Sequence, residues 1–294
     1  MSHSQPGIFA LGTSSHAYLE FDAVGADARP TLVKTIASMR EPRTTMEGVN
    51  LVVGFRPELW NEIAAADAPA GLEGFNEPVV GSGFAMPATQ RDAVLWISGS
   101  AYDVVFDVSR RAIAALAGVA AVADETSSWP YHRDRDLTGF IDGTENPTLT
   151  EAPQLAVIPD GSPGAGGTIL LLQKWQHDSR AWEELADAEQ ELVMGRRKLD
   201  SVELDDKPAD SHVASTDQDR FGKIFRRNMP YGNVTNHGTM FVGFSAERRP
   251  LEAMLESMAG SNGGAPDALT KYTHPLSGAY YFIPSIESLE SVVE

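Results

Sequence analysis

The predicted order of strands and helices occurs twice in this 294-residue sequence, and this repetition leaves few possible folds. Before Asp142, short apolar strands alternate with segments whose apolar residues recur every three or four positions, as in helices. After Asp142 the order returns: an apolar strand at 240–244 leads to a helical apolar face at 251–258. Such alternation with some hairpin pairing is typical of ferredoxin-like units. The sequence therefore predicts an α+β protein made of two tandem ferredoxin-like halves, 1–138 and 139–294.

Several single elements have clear sequence signals. Apolar residues at 8–11 and at 279–283 predict a strand near each end of the sequence. Asp178 is a good N-cap for one helix that would continue to Gly195. The helix at 251–258 is expected to end at Gly260, because glycine adopts the left-handed conformation of a helix C-cap.

Composition excludes several classes of function. The net charge of −18 makes nucleic acid and anionic membranes poor partners, because like charges repel. There is no cysteine, so thiolate nucleophiles, iron–sulfur clusters and thiolate-ligated metals are excluded. No apolar run approaches the ~20 residues of a membrane span, and the first residues lack the features of a signal peptide. We therefore expect a cytoplasmic protein.

The central segment 139–147 reads Gly-Phe-Ile-Asp-Gly-Thr-Glu-Asn-Pro. Gly143 and Pro147 prevent an ordinary helix, and Asp-Gly is a common turn. The simplest interpretation is a hairpin turn with a solvated Asp142. The alternative is that a rigid turn holds this one carboxylate over a cavity, and other segments must decide between the two.

The seven histidines show no pair at i, i+4 and no tight cluster, so a multi-histidine zinc site is not expected. A cofactor that needs a single imidazole remains possible. His212 follows a polar, charged run, in Pro-Ala-Asp-Ser-His-Val. It is either a surface or hydrogen-bonded core residue, or such a ligand.

The scarce basic residues cluster at Arg226 and Arg227, beside apolar residues and a Pro-Tyr-Gly turn at 230–232. In an extended segment these two arginines would point to opposite sides. One could therefore face a pocket while the other forms an ion pair at the surface. The alternative is a pair of surface arginines in an acidic protein.

Together, Gly-x-x-Asp-Gly at 139–143, Ser-His-Val at 211–213 and Ile-Phe-Arg-Arg-Asn-x-Pro-Tyr-Gly at 224–232 resemble the dye-decolorizing haem peroxidases, in particular the B-type members. Gly-Arg-Arg-Lys-Leu-Asp-Ser at 195–201 is also similar to that family. The resemblance extends in element order over about residues 8–284. It implies two ferredoxin-like halves with haem b bound mainly by the second.

The resemblance implies a role for each of these side chains. Asp142 would exchange protons with peroxide, and Arg226 would stabilise the charge that develops on the leaving oxygen and pair with a haem propionate. Asn228 would bind a propionate or distal water. His212 would ligate the iron, with its other ring nitrogen bonded to a carboxylate. Asp267 is the candidate for that carboxylate, because it precedes the last strand.

Three further residues are expected beside the cofactor. Gly143 and Thr144 would run along the haem, and Phe241, on the strand after the arginines, would form part of the pocket wall. These assignments complete the set of candidate site residues.

The resemblance implies a haem b peroxidase that uses hydrogen peroxide to oxidise dyes, phenols or other small one-electron donors through a ferryl haem. One alternative is a haem-binding or haem-handling protein whose peroxidase activity is incidental. Another is a chlorite dismutase-like enzyme, although that family does not use a distal Asp-Gly turn. B-type relatives are commonly assembled, so a homo-oligomer is expected. The C-terminal residues 287–294 lack the Gly-rich apolar tail of nanocompartment cargo, so encapsulation is not expected.

Overall fold

A computed structural model of the chain describes residues 2–39 and 48–294. Its strands are β1 (Ser15–Ala23), β2 (Val49–Phe55), β3 (Val79–Val80), β4 (Ala85–Met86), β5 (Ala93–Gly99), β6 (Ala120–Ser128), β7 (Thr168–His177), β8 (Phe225–Arg226), β9 (Met229–Gly232), β10 (His237–Ser245), β11 (Thr273–Pro275) and β12 (Ala279–Ile283). Its helices are α1 (Arg29–Ala37), α2 (Pro57–Ile63), α3 (Tyr102–Ala115), α4 (Ala152–Ala156), α5 (Ser179–Glu183), α6 (Asp187–Met194), α7 (His212–Ser215), α8 (Gln218–Phe221), α9 (Arg248–Ala259) and α10 (Ile286–Val293). Within these two ranges, no helix is long and apolar enough to cross a bilayer.

Ten strands form one antiparallel sheet in the order β11-β7-β12-β2-β5-β1-β6-β9-β10-β8. A further pairing of β7 with β10 closes eight of them into a ring. The first half contributes β2-β5-β1-β6, and the second contributes β9-β10-β7-β12. In each half the strands therefore follow the same order: second, third, first, fourth. This order confirms the prediction of an α+β fold with two ferredoxin-like halves.

The two halves join at two narrow contacts between strands. β12 pairs with β2 only at Phe282 and Phe55, and β6 pairs with β9 only at Ser128 and Tyr231. Among the described strands, none pairs with the β9-facing edge of β6 before Ser128. The predicted boundary between residues 138 and 139 lies in the irregular segment between β6 and α4 and stays a prediction.

Strand alternation places the core on both faces of the sheet. In β1, Tyr18 faces the interior of the ring, where it stacks on Trp96 with ring centroids 5.9 Å apart. Its neighbours Leu19 and Phe21 face outward and pack against the first-half helices, including Leu32 of α1. Because both faces are covered, β1 is buried over most of its length.

The outer face of the second half is covered by α9. Its apolar residues recur at helical spacing and are buried against Leu171 of β7. The residues on this stripe are Leu251, Met254, Leu255 and Met258. The helix ends at Gly260, whose φ of 68° is the left-handed conformation expected from the sequence. The cavity described below lies along this face.

Two predicted elements differ from the structure. The single helix expected from Asp178 to Gly195 is divided into α5 and α6, because Ala186 is extended and Glu189 accepts its main-chain N–H at 2.9 Å, which starts a new helix. The strand expected at 8–11 does not form. Instead, the side-chain amide of Gln5 binds the main chain of Val53 as a neighbouring strand would, with bonds of 2.9 and 2.8 Å.

Candidate active site

A deep cavity lies in the second half between the sheet and the helices. It contains about 1580 Å³ of space not filled by protein, its open mouth included. One wall is the outer face of β7 and β10, and another is the apolar stripe of α9. The predicted site residues that line it are Asp142, Gly143, Thr144, His212, Arg226, Asn228 and Phe241. The cavity therefore brings together residues that are up to a hundred positions apart in the sequence.

The segment that carries Asp142 is a hydrogen-bonded turn. Arg135 forms a β-bridge with Ile141, and the Asp142 N–H donates to the carbonyl of Asp134 at 2.7 Å. Gly143 follows with a φ of 77°, a conformation that favours glycine. The turn expected from the sequence is therefore present, and it holds its carboxylate against a cavity.

The Asp142 carboxylate has two donors. Its Oδ1 accepts a hydrogen bond from the Gly143 N–H at 2.8 Å and from the Asn228 side-chain amide at 3.4 Å. Asn228 is itself held, because its Oδ1 accepts the Val242 N–H of β10 at 3.1 Å. The orientation of this carboxylate is thus set by both the turn and the sheet.

Arg226 is fixed through its main chain by Asn146. The Asn146 side chain accepts the Arg226 N–H at 2.9 Å and donates to the Arg226 carbonyl at 2.8 Å. On its other side, Arg226 pairs with Gly243 of β10. The guanidinium Nε is buried and has no hydrogen-bond partner within the described ranges. A fixed cation with an unused donor therefore lines the cavity.

The neighbouring arginine does not form the surface ion pair that was considered. Arg227 is only 5% exposed, donates to the carbonyl of Ile8 at 2.9 Å and lies 5.1 Å over the ring of Trp96. The two arginines do point to opposite sides, as an extended strand requires. Arg227, however, faces the interior of the ring of strands.

His212 is the first residue of α7, and its Nδ1 lies 2.7 Å from Oδ2 of Asp267. Asp267 has no solvent-exposed surface, and its other oxygen accepts the Leu269 N–H at 2.9 Å. Burial by itself lowers the pKa of His212, but the charge and hydrogen bond of Asp267 outweigh burial, so the pKa is raised. Nδ1 is thus engaged, and Nε2 is the ring nitrogen left for a ligand in the cavity.

The position of His212 depends on Gly195 at the end of α6. Gly195 has a φ of 84°, and a Cβ added there would lie 2.7 Å from the side-chain oxygen of Ser211. Ser211, the N-cap position of α7, is fully buried. Close contact between these two residues brings α7 against α6 and directs His212 to the cavity.

Three site features were not predicted from the sequence. Asp136, before the turn, lines the cavity. Asn146 was recognised as part of the motif but without a role, because its bond to residue 226 is visible only in three dimensions. Arg196 also lines the cavity and joins Glu145 at 2.7 Å to Glu203 at 2.9 Å. Arg196 stands in the segment 195–201 whose resemblance to the family was recognised, but no role had been assigned to it.

A second, more open cleft meets the first cavity at the same turn. It shares four residues with that cavity, namely Asp142, Gly143, Arg226 and Asn228. Its own walls include Arg133, Pro147 and Leu149. The carboxylate and the guanidinium therefore lie between two spaces.

Most of the chain matches the models of one protein family. A family model for the N-terminal part of Dyp-type peroxidases covers residues 13–129, and one for the C-terminal part covers residues 133–288. A dye-decolorizing peroxidase of Mycolicibacterium paratuberculosis is 36% identical over 269 residues, 88% of this chain and 75% of that protein. One from Mycobacterium tuberculosis is 34% identical over 286 residues, 91% and 84% of the two chains.

Solved structures of dye-decolorizing peroxidases are also similar to this chain. A variant of Rhodococcus jostii DypB in complex with heme has a TM-score of 0.88 at 34% identity, over 95% of this chain and 96% of that one. A dye-decolorizing peroxidase from Bacteroides thetaiotaomicron has a TM-score of 0.91 at 27% identity, over 100% and 99%.

The fold and the site define a protein with two ferredoxin-like halves and one deep cavity that combines an acid, a cation and an imidazole. The sequence and structural matches identify the group within this class: the chain belongs to the dye-decolorizing peroxidase family. It is therefore a peroxidase, an oxidoreductase. Membership of this family removes the chlorite dismutase-like alternative.

Proposed function

We propose that this protein is a B-type member of the family that binds haem b and uses hydrogen peroxide to oxidise dyes, phenols or other one-electron donors. The observation that carries the proposal is the set of side chains that line the cavity. His212, supported by Asp267, lines the same cavity as Asp142, Arg226 and Asn228. The structural neighbour DypB was solved in complex with heme, which supports the same cofactor here.

The residues of the cavity fit a haem. The apolar side chains of β7, β10 and α9 provide walls for a large planar ring, and Phe241 is among them. Arg226 supplies an unpaired guanidinium donor for an anionic group such as a propionate. Gly143 and Thr144 line the cavity beside Asp142 and would lie along the ring.

The imidazole of His212 would hold the iron through Nε2, because Nδ1 is bonded to Asp267. Haem, when bound, would supply an iron at which the O–O bond of peroxide is cleaved and which takes electrons from the donors. The buried carboxylate of Asp267 fixes the tautomer and the orientation of the ring and makes it a stronger electron donor.

Asp142 and Arg226 would act on peroxide. The Asp142 carboxylate takes a proton from one peroxide oxygen and returns a proton to the oxygen that leaves as water. Negative charge develops on the leaving oxygen, and the Arg226 guanidinium, which stays protonated, stabilises it. Asn228 keeps Asp142 in position through its 3.4 Å contact.

The ligand assignment is tested by the visible spectrum. We expect protein from haem-supplemented cells to carry a Soret band, and His212→Ala to lose most of its haem. His274→Ala is the matched control, because His274 is exposed. Unchanged haem occupancy and spectrum in His212→Ala would rule out His212 as the ligand.

Substitutions of Asp142 and Arg226 distinguish a peroxidase from a haem-handling protein. With stoichiometric peroxide, we expect Asp142→Ala and Arg226→Ala to slow the first spectral change by about 10²–10³-fold, typical for the loss of an acid–base group or a charge-stabilising donor. Asp134→Ala, which removes an exposed carboxylate nearby, should react at the wild-type rate. Wild-type rates in both site variants would favour the haem-handling alternative.

We also propose a cytoplasmic homo-oligomer. The acidic composition supports the absence of nucleic-acid partners. Light scattering of the haem-loaded protein tests the assembly, and fractionation of cells tests the location.

A further inference from the structure

We infer that Asp136 is a second acid of the cavity, which is protonated in mildly acidic solution and returns protons to Asp142 between turnovers. The inference rests on the proposed function, since it gives Asp136 a task in the same reaction. It concerns a residue that the sequence motifs did not point to, and it begins from the surroundings of its carboxyl group.

Asp136 is built into the turn that presents Asp142. Its N–H donates to the carbonyl of Phe140 at 3.1 Å, and its carbonyl accepts the Gly139 N–H at 3.1 Å. Asp136 and Asp142 both line the same cavity, and the hydrogen bonds of this turn place them in one segment. Their separation therefore does not depend on the motion of separate elements.

The hydrogen bonds of Asp136 come from a single neighbour. Oδ1 accepts the Thr138 N–H at 2.8 Å and also the Thr138 hydroxyl. Within the described ranges no other donor reaches the carboxyl group, and no lysine or arginine forms an ion pair with it. Arg135 donates to the carbonyls of Gly139 and Lys198, and the Lys198 ammonium binds Asp187.

The charged groups around Asp136 favour its neutral form. Asp142, on the same turn, adds a like charge, whereas His212, across the cavity on α7, opposes it weakly. Asp136 is half-buried. A carboxylate that is partly withdrawn from water without a cationic partner is costly, and a second negative charge in the same cavity increases the cost. Burial, then the charge of Asp142, raises the pKa of Asp136 to about 6. Asp136 is therefore a carboxylic acid in mildly acidic solution.

The reaction requires such a proton source. Reduction of one hydrogen peroxide to two waters consumes two electrons and two protons. Donors that are oxidised outside the cavity release their protons to solvent, so protons must reach the site separately. The Asp136 carboxyl can pass its proton through water to Asp142, become a carboxylate and regain a proton from solvent. No electrons move in this step, and charge is balanced by the proton taken up.

Infrared spectroscopy tests the protonation directly. In a pH titration of the haem-free and haem-loaded protein, we expect the C=O band of a buried carboxylic acid that disappears as pH rises through about 6. The band should be absent in Asp136→Asn and retained in Asp142→Asn. If Asp136→Asn keeps the same titrating band, the inference is wrong. This measurement on haem-free protein does not depend on the proposed function.

Steady-state kinetics tests the return of protons. We expect Asp136→Asn to lower kcat by at least about tenfold below pH 6 and to lose the alkaline fall of the wild-type profile, while the first reaction with stoichiometric peroxide keeps its rate. Thr138→Val removes a hydrogen bond to the ionised form, so it should move the alkaline fall to higher pH.

A purely structural role for Asp136 gives a different result. With a structural role, Asp136→Asn would slow both the first reaction with peroxide and steady-state turnover at all pH values. Thr138→Val would leave the midpoint of the alkaline fall unchanged. Either that pattern or an unchanged profile in Asp136→Asn would overturn the inference. Asp134→Asn, two residues away and exposed, is the control and should behave as wild type. Failure of the proposed function would give a different result: the Asp142 and Arg226 variants would react with stoichiometric peroxide as fast as the wild type.

Discussion

Asn146 connects two segments that are eighty residues apart. Its amide forms both main-chain hydrogen bonds of Arg226, at 2.9 and 2.8 Å, as a neighbouring strand would do. Because Asn146 belongs to the turn that carries Asp142, one side chain fixes the distance between the acid and the cation. Orientation of reacting groups accounts for a large part of enzymatic rate acceleration, so this contact bears on the reaction.

We predict that Asn146→Ala slows the reaction with stoichiometric peroxide by about tenfold or more, because Arg226 loses its fixed position. Haem content should change little, since the His212 side of the cavity is untouched. The measurement is stopped-flow absorbance of the haem-loaded variant. Asn262→Ala, in an exposed loop, is the control. A wild-type rate in Asn146→Ala would contradict a positioning role.

Asp267→Asn tests the support of His212. The amide can still accept the Nδ1–H, but the negative charge is lost, so the imidazole would donate less to an iron bound at its Nε2. We predict a higher reduction potential and about 10–100-fold weaker haem affinity or activity. Potentiometric titration measures the first effect. Asp205 is exposed, so Asp205→Asn should leave the reduction potential unchanged. A wild-type reduction potential in Asp267→Asn would refute the supporting role of Asp267.

At the residue scale, the sequence predicted side chains that the structure brings to one cavity, because Asp142, His212 and Arg226 stand in specific motifs. It also suggested Asp267, which lies beside His212. It did not predict Asp136, since a carboxylate in a turn-forming segment is usually solvated. Its partial burial follows from packing between distant segments, which leaves no local pattern.

At the scale of elements, the contact between α6 and α7 positions the imidazole. Gly195 ends α6 in the left-handed conformation and lies directly against Ser211 at the start of α7. We predict that Gly195→Ala lowers the free energy of unfolding by about 1–3 kcal/mol through backbone strain and collision. It should also weaken haem binding, because α7 must shift.

Gly263→Ala separates strain from collision. Gly263 has a similar φ of 88°, but an added Cβ would meet no atom within 4 Å. This control should lose stability from strain alone and keep its haem affinity. Calorimetry and hemin titration of both variants give the comparison; equal haem affinities in the two would show that the α6–α7 contact does not position His212.

Element prediction succeeded where a pattern was local and long. The stripe of α9 and its end at Gly260 follow from spacing and a glycine, and β12 has the predicted bounds 279–283. The division of α5 from α6 was missed, because the apolar spacing continues through Ala186. There a side-chain cap from Glu189 outweighs the periodicity.

On the scale of the molecule, a buried hydrogen bond joins the two halves inside the ring. The hydroxyl of Tyr281 on β12 donates to Oε1 of Glu20 on β1 at 2.5 Å. Nearby, Lys174 of β7 pairs with Asp124 of β6 at 2.6 Å. Burial raises the pKa of Glu20 to about 7, with the Tyr281 hydrogen bond opposing this shift. Protonation of Glu20 is therefore coupled to the folded state.

We predict that Glu20 contributes more to the stability of the protein in acid than at neutral pH. Because the pKa of Glu20 is higher in the folded protein than the ordinary 4.5, its contribution is fully present below about 4.5 and is lost as pH rises through about 7. The contribution of Glu20 to the free energy of unfolding is about 3 kcal/mol, because each unit of pKa difference corresponds to about 1.4 kcal/mol. Urea unfolding at several pH values measures it. Glu20→Gln should remove this contribution from the pH profile, whereas exposed Glu125→Gln should retain it.

The closed ring of strands was beyond sequence prediction. The repeated order of elements predicted two halves, but each contact between the halves at β12–β2 and β6–β9 consists of one residue pair. Such a contact produces no alternation or turn signal. The ring depends on side chains that pack from both halves, such as Trp96 on Phe244 at 6.0 Å.

The incomplete pairing of β6 with β9 has a consequence for the behaviour of the protein in concentrated solution. An unpaired strand edge can add a strand from another molecule, and charged side chains commonly prevent this. Asp124 and Glu125 lie on this strand, and the net charge of −18 keeps molecules apart at neutral pH. Near the isoelectric point of about 4.7 that repulsion vanishes. The pH range in which protonated Glu20 contributes most to the folded state is thus the range in which we expect the protein to precipitate most readily.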